Sequence, residues 1–227
     1  MTRKRVGVLI SGRGSNMESL FEAAKERSYP AAIALVVSNN PQAPGLARAE
    51  AHAIPTAVID HRSHGKNRAA FERALEAVLE EHRVELICLA GFMRLLTPAF
   101  VLQWQGRMLN IHPALLPSFP GLDAHGQALK AGVKISGATV HLVTPEADAG
   151  PIVAQAAVPV GDDDTAETLA ARILEVEHHI YPLALRLLAE GRVKLIGNRC
   201  HIAGSGPAAG ALIVPAEARR APDVTKE

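Results

Sequence analysis

The chain has 227 residues, a length that fits one α/β domain with a short extension or two small domains, and that buries a sizeable core without disulfides or metals. Twenty-four Lys and Arg against 23 Asp and Glu leave a formal charge of +1, so no global field favours nucleic acid or an anionic membrane and any anion must be bound locally. Two cysteines form no disulfide framework, the apolar run after the basic start is too short for a signal sequence, and no stretch approaches the roughly 18 apolar residues of a membrane helix; together these point to a cytoplasmic protein.

Residues 6–10 are short and β-branched, and Ser11-Gly12-Arg13-Gly14-Ser15-Asn16 closes them. Met17, Leu20, Phe21 and Ala24 then recur at helical spacing, so the chain opens as strand, glycine loop, helix. A second strand is expected over 33–37, a helix over 45–53 and a third strand over 56–59. A polar loop at 61–67 leads into a long amphipathic helix over 68–82, with Phe71, Leu75, Val78 and Leu79 on one face. The fourth strand, 85–90, is apolar throughout, as expected when both faces of a parallel sheet are covered. Strand 108–111 follows, then a proline-rich loop at 112–121 and a short helix over 124–131. Segments 138–143 and 152–160 have no helix between them and should pair antiparallel. A long helix over 165–190 comes last, with Pro182 expected to kink it or end its first part. Beyond Lys194 the composition turns to Gly, Ala, Pro and Arg, which predicts short strands or a loosely held tail. The fold class is therefore α/β: a Rossmann-like, doubly wound, mostly parallel sheet with an antiparallel C-terminal extension.

The glycine loop has the geometry to hold an anion, because glycines allow a tight turn and the amides at a helix start are free donors. It is not a Walker loop, and Met17 stands where a dinucleotide fingerprint has its third glycine. Taken alone the motif is weak, since many α/β domains turn here without a ligand.

Asn110-Ile111-His112-Pro113 and Asp148 carry the chemistry. An amide donor, an imidazole and a carboxylate near strand ends suit a reaction in which charge develops on a carbonyl oxygen. The amide bonds the oxyanion, the imidazolium neutralises it, and the carboxylate keeps the imidazole charged. Each residue alone has a bland reading, as a loop capping group or a turn former; the three together shift the balance to catalysis. His141, inside a strand, reads as a supporting group. The ten histidines match no zinc spacing, so no metal is expected, and neither a Gly-x-Ser-x-Gly elbow nor a Cys with a neighbouring base points to a covalent nucleophile.

The stretches Ser11-Gly12-x-Gly14-Ser15-Asn16, Ala90-Gly91-Phe92-Met93-Arg94, Asn110-Ile111-His112-Pro113-x-Leu115-Leu116-Pro117 and Asp148-x-Gly150-Pro151 occur in order between Val6 and Lys194. Together they resemble the phosphoribosylglycinamide formyltransferases. The resemblance implies transfer of the formyl group of 10-formyltetrahydrofolate, as co-substrate, to the amine of glycinamide ribonucleotide in purine biosynthesis. It implies that Gly14, Ser15 and Asn16 hold the ribonucleotide phosphate and that Glu177 contacts its ribose or glycinamide end. Arg68, Met93, Arg94, Leu95 and Leu96 would line the folate site with Asn110, Thr144, Glu146 and Asp148, and Asn110, His112 and Asp148 would be catalytic. Residues 1–195 would form the formyltransferase domain, its N-terminal half for the phosphate and its C-terminal half for folate and catalysis, with 196–227 as an extension. The implied state is a monomer or homodimer acting on small molecules. Arg13, Asp123, Ala147 and Ala149 depart from the family pattern.

The rival enzyme reading is a 10-formyltetrahydrofolate hydrolase lacking a regulatory domain, which would use the same triad without a phosphate loop. A methionyl-tRNA formyltransferase would need more than the 33 residues after Lys194. A non-catalytic nucleotide or folate sensor would have no use for an oxyanion site.

Overall fold

The computed structural model describes residues 2–204 together with 206, 210, 212 and 214. Strand β1 (Lys4–Ile10) runs into helix α1 (Ser15–Lys25), followed by β2 (Ala31–Ser38), α2 (Pro44–Ala51) and β3 (Thr56–Val58). After a 3-10 turn at His61–His64 come α3 (Arg68–Glu81) and β4 (Leu86–Leu89), then α4 (Pro98–Gln103), β5 (Met108–His112) and α5 (Ala124–Ala131). Strands β6 (Ile135–Leu142) and β7 (Ile152–Pro159), helix α6 (Ala166–Ala189) and the pair β8 (Val193–Ile196) and β9 (Arg199–Ile202) complete the described elements.

Seven strands form one sheet in the order β3-β2-β1-β4-β5-β6-β7. The five joined through helices are parallel, whereas β6 runs antiparallel to β5 and β7 antiparallel to β6. The expected architecture is present, and 138–143 pairs with 152–160 as the missing crossover helix required. A separate β8–β9 hairpin follows α6. It straddles the boundary expected at 195/196, and its Cys200 thiol reaches the Pro151 carbonyl at 3.7 Å. The rest of the expected C-terminal tail lies outside the described residues.

Two apolar layers sandwich the sheet. One joins Val6, Val8, Cys88, Leu109 and Ile111 to Met17, Leu20 and Phe21 of α1 and to Leu169, Ile173, Tyr181 and Leu185 of α6. The other joins Leu9, Leu35, Ile87 and Met108 to Phe71, Leu75 and Leu79 of α3 and to Phe100 and Trp104 at α4. Alternation along each strand sends neighbouring side chains to opposite layers, the expected behaviour of a parallel sheet covered on both faces.

The helices begin where the sequence supplies caps. Asn67 accepts from Ala70 N–H at the start of α3, and Thr165 with Thr168 forms a reciprocal box at the start of α6. Thr97 and Pro98 open α4, a six-residue helix absent from the sequence-based expectation because it is too short to show a period. Pro182 does not end α6, which continues to Ala189. Tyr181, fully buried, donates to the Leu89 carbonyl at 2.9 Å. This bond fixes the rotation of α6 against the ends of β4 and β5, and Glu177 lies one turn earlier on the same face.

Candidate active site

Asn110 and His112 are two apart on β5, so both point to the same face while Ile111 enters the opposite core layer. Leu89, the last residue of β4, is level with Asn110, so β5 overruns its neighbour and its polar residues look out over that end. His141 sits directly opposite Asn110 on β6, and Thr139 opposite His112. Loops replace a covering helix here. Thr139 Oγ1 donates to the Ala114 carbonyl at 2.7 Å and accepts from Leu116 N–H at 3.0 Å, and Gln155 donates to the Leu116 carbonyl at 2.9 Å. These bonds hold the proline-rich loop over the strand ends.

The 143–151 loop closes from the other side. A Cβ on Gly150 would overlap the Leu142 carbonyl and lie 2.9 Å from His141 Nδ1, so only glycine allows this approach. Asp148 has φ 54°, a left-handed conformation that Asp tolerates better than most residues. Its Oδ2 accepts from Gly121 N–H at 2.8 Å and lies 3.6 Å from His112 Nδ1; its Oδ1 lies 3.8 Å from His141 Nε2. One carboxylate thus faces two imidazoles, and the structure brings Asn110, His112 and Asp148 together.

The hydrogen bonds assign the histidines different roles. His141 Nδ1 meets the Leu142 carbonyl at 3.0 Å, which places its proton there and leaves Nε2 as an acceptor for the Asn110 amide at 3.2 Å. Burial, the dominant influence, pushes the His141 pKa down and outweighs the nearby Asp148 carboxylate, so the 3.8 Å contact is not an ion pair at neutral pH. The Asn110 amide nitrogen has a second N–H, which this bond orients. His112 donates from Nε2 to the Phe119 carbonyl at 2.9 Å and turns Nδ1 to Asp148. The Phe119 carbonyl and the Gly121 amide were not anticipated, because main-chain groups leave no signature in residue type.

The second cluster lies two strands away, about 10 Å at ordinary strand spacing. A cavity is lined by Ser11, Gly12, Arg13, Gly14, Ser15, Asn16, Ala90, Gly91 and Met93. Gly14, at φ 71°, caps α1 without a side-chain bond. Gly45 at the start of α2 donates to the Gly12 carbonyl at 3.0 Å, and a Cβ there would crowd the Gly12 and Arg13 carbonyls. Carbonyl and N–H point opposite ways across a trans peptide, so the Arg13 and Gly14 amides face away from α2. Among the described residues nothing accepts from the N–H groups of residues 13–17, and such a run of free amides is a nest for an anion. Asn16 donates to Glu177 Oε2 at 2.9 Å, while its own Oδ1 is buried without a partner. Burial pushes the Glu177 pKa up, and the Asn16 donor offsets part of this.

The expected folate residues form a looser set. Met93 and Leu95 are each 68% exposed on the segment after β4, with Arg94 and Leu96 half-buried between and beside them. Ser11 Oγ accepts from Met93 N–H at 2.7 Å, tying this segment to the glycine loop. Phe92 stacks on Phe71 at 6.5 Å, bringing the start of α3, and hence exposed Arg68, towards the same region. Neither the Arg68 nor the Arg94 guanidinium makes a hydrogen bond or ion pair with the described residues. Thr144 Oγ1 donates to the Glu146 carbonyl at 3.0 Å and Glu146 is exposed; among the described residues neither makes a hydrogen bond or ion pair with Asn110, His112 or Asp148. Among the described residues no group of three or more His, Cys, Asp or Glu could hold a metal ion, and no helix is long and apolar enough to cross a membrane.

A sequence model of the formyl transferase family matches residues 4–185. The chain belongs to this family. It is 46% identical over 185 residues to the phosphoribosylglycinamide formyltransferase of Bacillus subtilis, covering 82% of this chain and 94% of that one. It is 52% identical over 196 residues to the trifunctional purine biosynthetic protein adenosine-3 of Bos taurus, covering 86% of this chain but only 19% of that much longer protein. The solved structure of glycinamide ribonucleotide transformylase 1 from Symbiobacterium toebii superposes with a TM-score of 0.85 at 46% identity, covering 88% of this chain and 94% of that one. A formyltetrahydrofolate deformylase from Pseudomonas syringae shares the fold at lower identity: 30%, TM-score 0.81, 88% of this chain and 66% of that one.

Proposed function

We infer that this formyl transferase moves the formyl group of 10-formyltetrahydrofolate to the amine of 5-phosphoribosylglycinamide, in the cytoplasm, as a step of purine biosynthesis. The observation that carries the reading is the placement of an anion-binding glycine loop two strands from the Asn110, His112 and Asp148 cluster. A hydrolase needs the cluster alone, whereas a transferase acting on a phosphorylated amine needs both. In this reading Gly14, Ser15 and Asn16 hold the phosphate, and Glu177 receives the ribose or glycinamide end. Arg68, the 93–96 segment and the loop bearing Thr144 and Glu146 border the folate, and its anionic tail meets the unpaired guanidinium groups of Arg68 and Arg94.

The amine attacks the formyl carbon and the carbonyl electron pair moves onto oxygen. Asn110, oriented by His141, donates its second N–H to that oxygen. His112 releases the Phe119 carbonyl and turns its Nε2–H to the same oxygen, with Asp148 behind it as counter-charge. The C–N bond to folate then breaks, and the proton lost by the attacking amine passes through His112 or water to the departing nitrogen. Loss of one oxyanion donor costs on the order of 10²–10³ in rate.

The test is absorbance-monitored turnover of 10-formyltetrahydrofolate with and without the ribonucleotide. Turnover that requires the ribonucleotide supports the transferase. Equal turnover without it would replace this reading with the hydrolase.

A further inference from the structure

Resting on that reading of the glycine loop, we propose that Arg13 is the cation that closes over the substrate phosphate and sets the preference for a phosphorylated over an unphosphorylated amine. The sugar phosphate carries between one and a half and two negative charges near neutrality, by the ordinary behaviour of phosphate monoesters. The amides of residues 13–17 and the helix start together offer about half a positive charge. That leaves most of the dianion unbalanced, and Glu177, a carboxylate bonded to Asn16 beside the same loop, adds to the negative side. Among the described residues Arg13 is the one charged side chain lining the cavity. The nearby Arg48 is committed to Glu18 at 2.7 Å, whereas Arg13 makes no hydrogen bond or ion pair with any described residue.

The backbone explains why this position is suited to the task. Gly45 docks against the rear of the loop and takes the Gly12 carbonyl, so residues 12–14 are pinned from behind and present Arg13 at the exposed rim. Because the loop is held from α2, the guanidinium can move onto a ligand without disturbing the turn. A planar, permanently charged fork matches two phosphate oxygens at once, which a lysine cannot do. The net charge of +1 supplies no long-range attraction in its place.

The experiment is calorimetric titration of the full chain with 5-phosphoribosylglycinamide, on wild type, Arg13→Gln and Arg13→Lys, beside steady-state formyl transfer with the same amine and with its dephosphorylated riboside. Arg13→Gln is expected to weaken ribonucleotide binding about 10–100-fold and to leave kcat, the KM for formyl-folate and kcat/KM for the riboside within about twofold. Arg13→Lys should fall between, and added salt should weaken the wild type more than Arg13→Gln. Unchanged affinity in Arg13→Gln with normal transfer would overturn the assignment and leave the proposed function standing. So would an equal loss towards ribonucleotide and riboside. Ribonucleotide binding that depends on Arg13 without any formyl transfer would sink the proposed function and keep the assignment; no binding by the wild type would remove both.

Discussion

Replacing Asp148 separates the work of its charge from the work of its shape. The residue sits at φ 54°, its Oδ2 holds Gly121 N–H at 2.8 Å, and His112 Nδ1 lies 3.6 Å from the same oxygen. Asp148→Asn keeps an oxygen for Gly121 and tolerates the left-handed backbone, so only the charge is lost. Two unit charges at 3.6 Å interact by about 4–5 kcal/mol at an effective dielectric near 20. The carboxylate is 15% exposed, so solvent screens part of this, leaving roughly 3 kcal/mol, or about 10²-fold in kcat. Asp148→Ala loses the same charge, the Gly121 bond at about 1 kcal/mol, and about 1–2 kcal/mol for forcing alanine into the left-handed region. For a chain of this size that is about 4–12 °C in Tm. Formyl-transfer kinetics and differential scanning calorimetry on both variants test the two halves. The charge argument fails if Asp148→Asn keeps kcat within threefold of wild type, and the shape argument fails if the two variants melt together.

Gly150→Ala should force the 143–151 loop off His141 and Leu142, cutting kcat at least tenfold and stability by about 1–3 kcal/mol; full activity in this variant would show that the loop's close approach is dispensable. Glu177→Gln keeps an oxygen for Asn16 but removes a carboxylate whose pKa burial raises, so the variant should melt above wild type at pH 8, match it near pH 4, and bind ribonucleotide more weakly. An equal Tm at both pH values would refute the burial cost. His141, His125 and His178 are all held below their ordinary value of 6.5, burial being the main cause in each. The unfolded chain therefore binds more protons in acid, so their contribution is complete above about pH 6.5 and is lost as pH falls through the lowered values. Urea midpoints measured from pH 8 to pH 5 should decline below 6.5, and His141→Phe should flatten that decline; a wild-type midpoint constant down to pH 5 would contradict it.

The parallel half of the fold was legible because its signals are local: β-branched runs closed by Gly or Asn, and apolar residues at helical spacing on α1 and α3. The shared face of Asn110 and His112 was legible for the same reason, since a spacing of two on a strand puts both side chains on one side. Asp148 and His141 were named from the sequence as their companions, but the contacts they make were not legible. That His141 faces Asn110 depends on the β5–β6 register, and that Asp148 reaches His112 depends on a turn whose left-handed residue and glycine contact act only in three dimensions. Glu177 carries no local mark, because its partner Asn16 is 161 positions away. Thr97-Pro98 is a helix-start signal that identifies α4 in hindsight, but six residues cannot show the period that would support it.

The direction and cause of the pKa shifts separate the site from the surface. Asp60 is lowered to about 2 chiefly by the Arg62 guanidinium, and Asp164 is lowered chiefly by Arg172; both pairs are local braces with the partner supplied. Glu177 is shifted up and His141 down, in both cases by burial that penalises the charged form. A brace has no reason to leave a carboxylate buried beside an unpartnered amide oxygen, or a neutral imidazole facing a carboxylate at 3.8 Å. Selection for stability alone would replace both with apolar residues, because a buried ionisable group without an opposite charge costs more than it returns. Their presence is explained if a ligand completes them: ribose or glycinamide donors at Glu177 and Asn16, and an oxyanion at the amide His141 orients. In the proposed transfer the two clusters would meet on one tetrahedral adduct, spanning from the glycine loop to the formyl carbon across the ends of β1, β4 and β5.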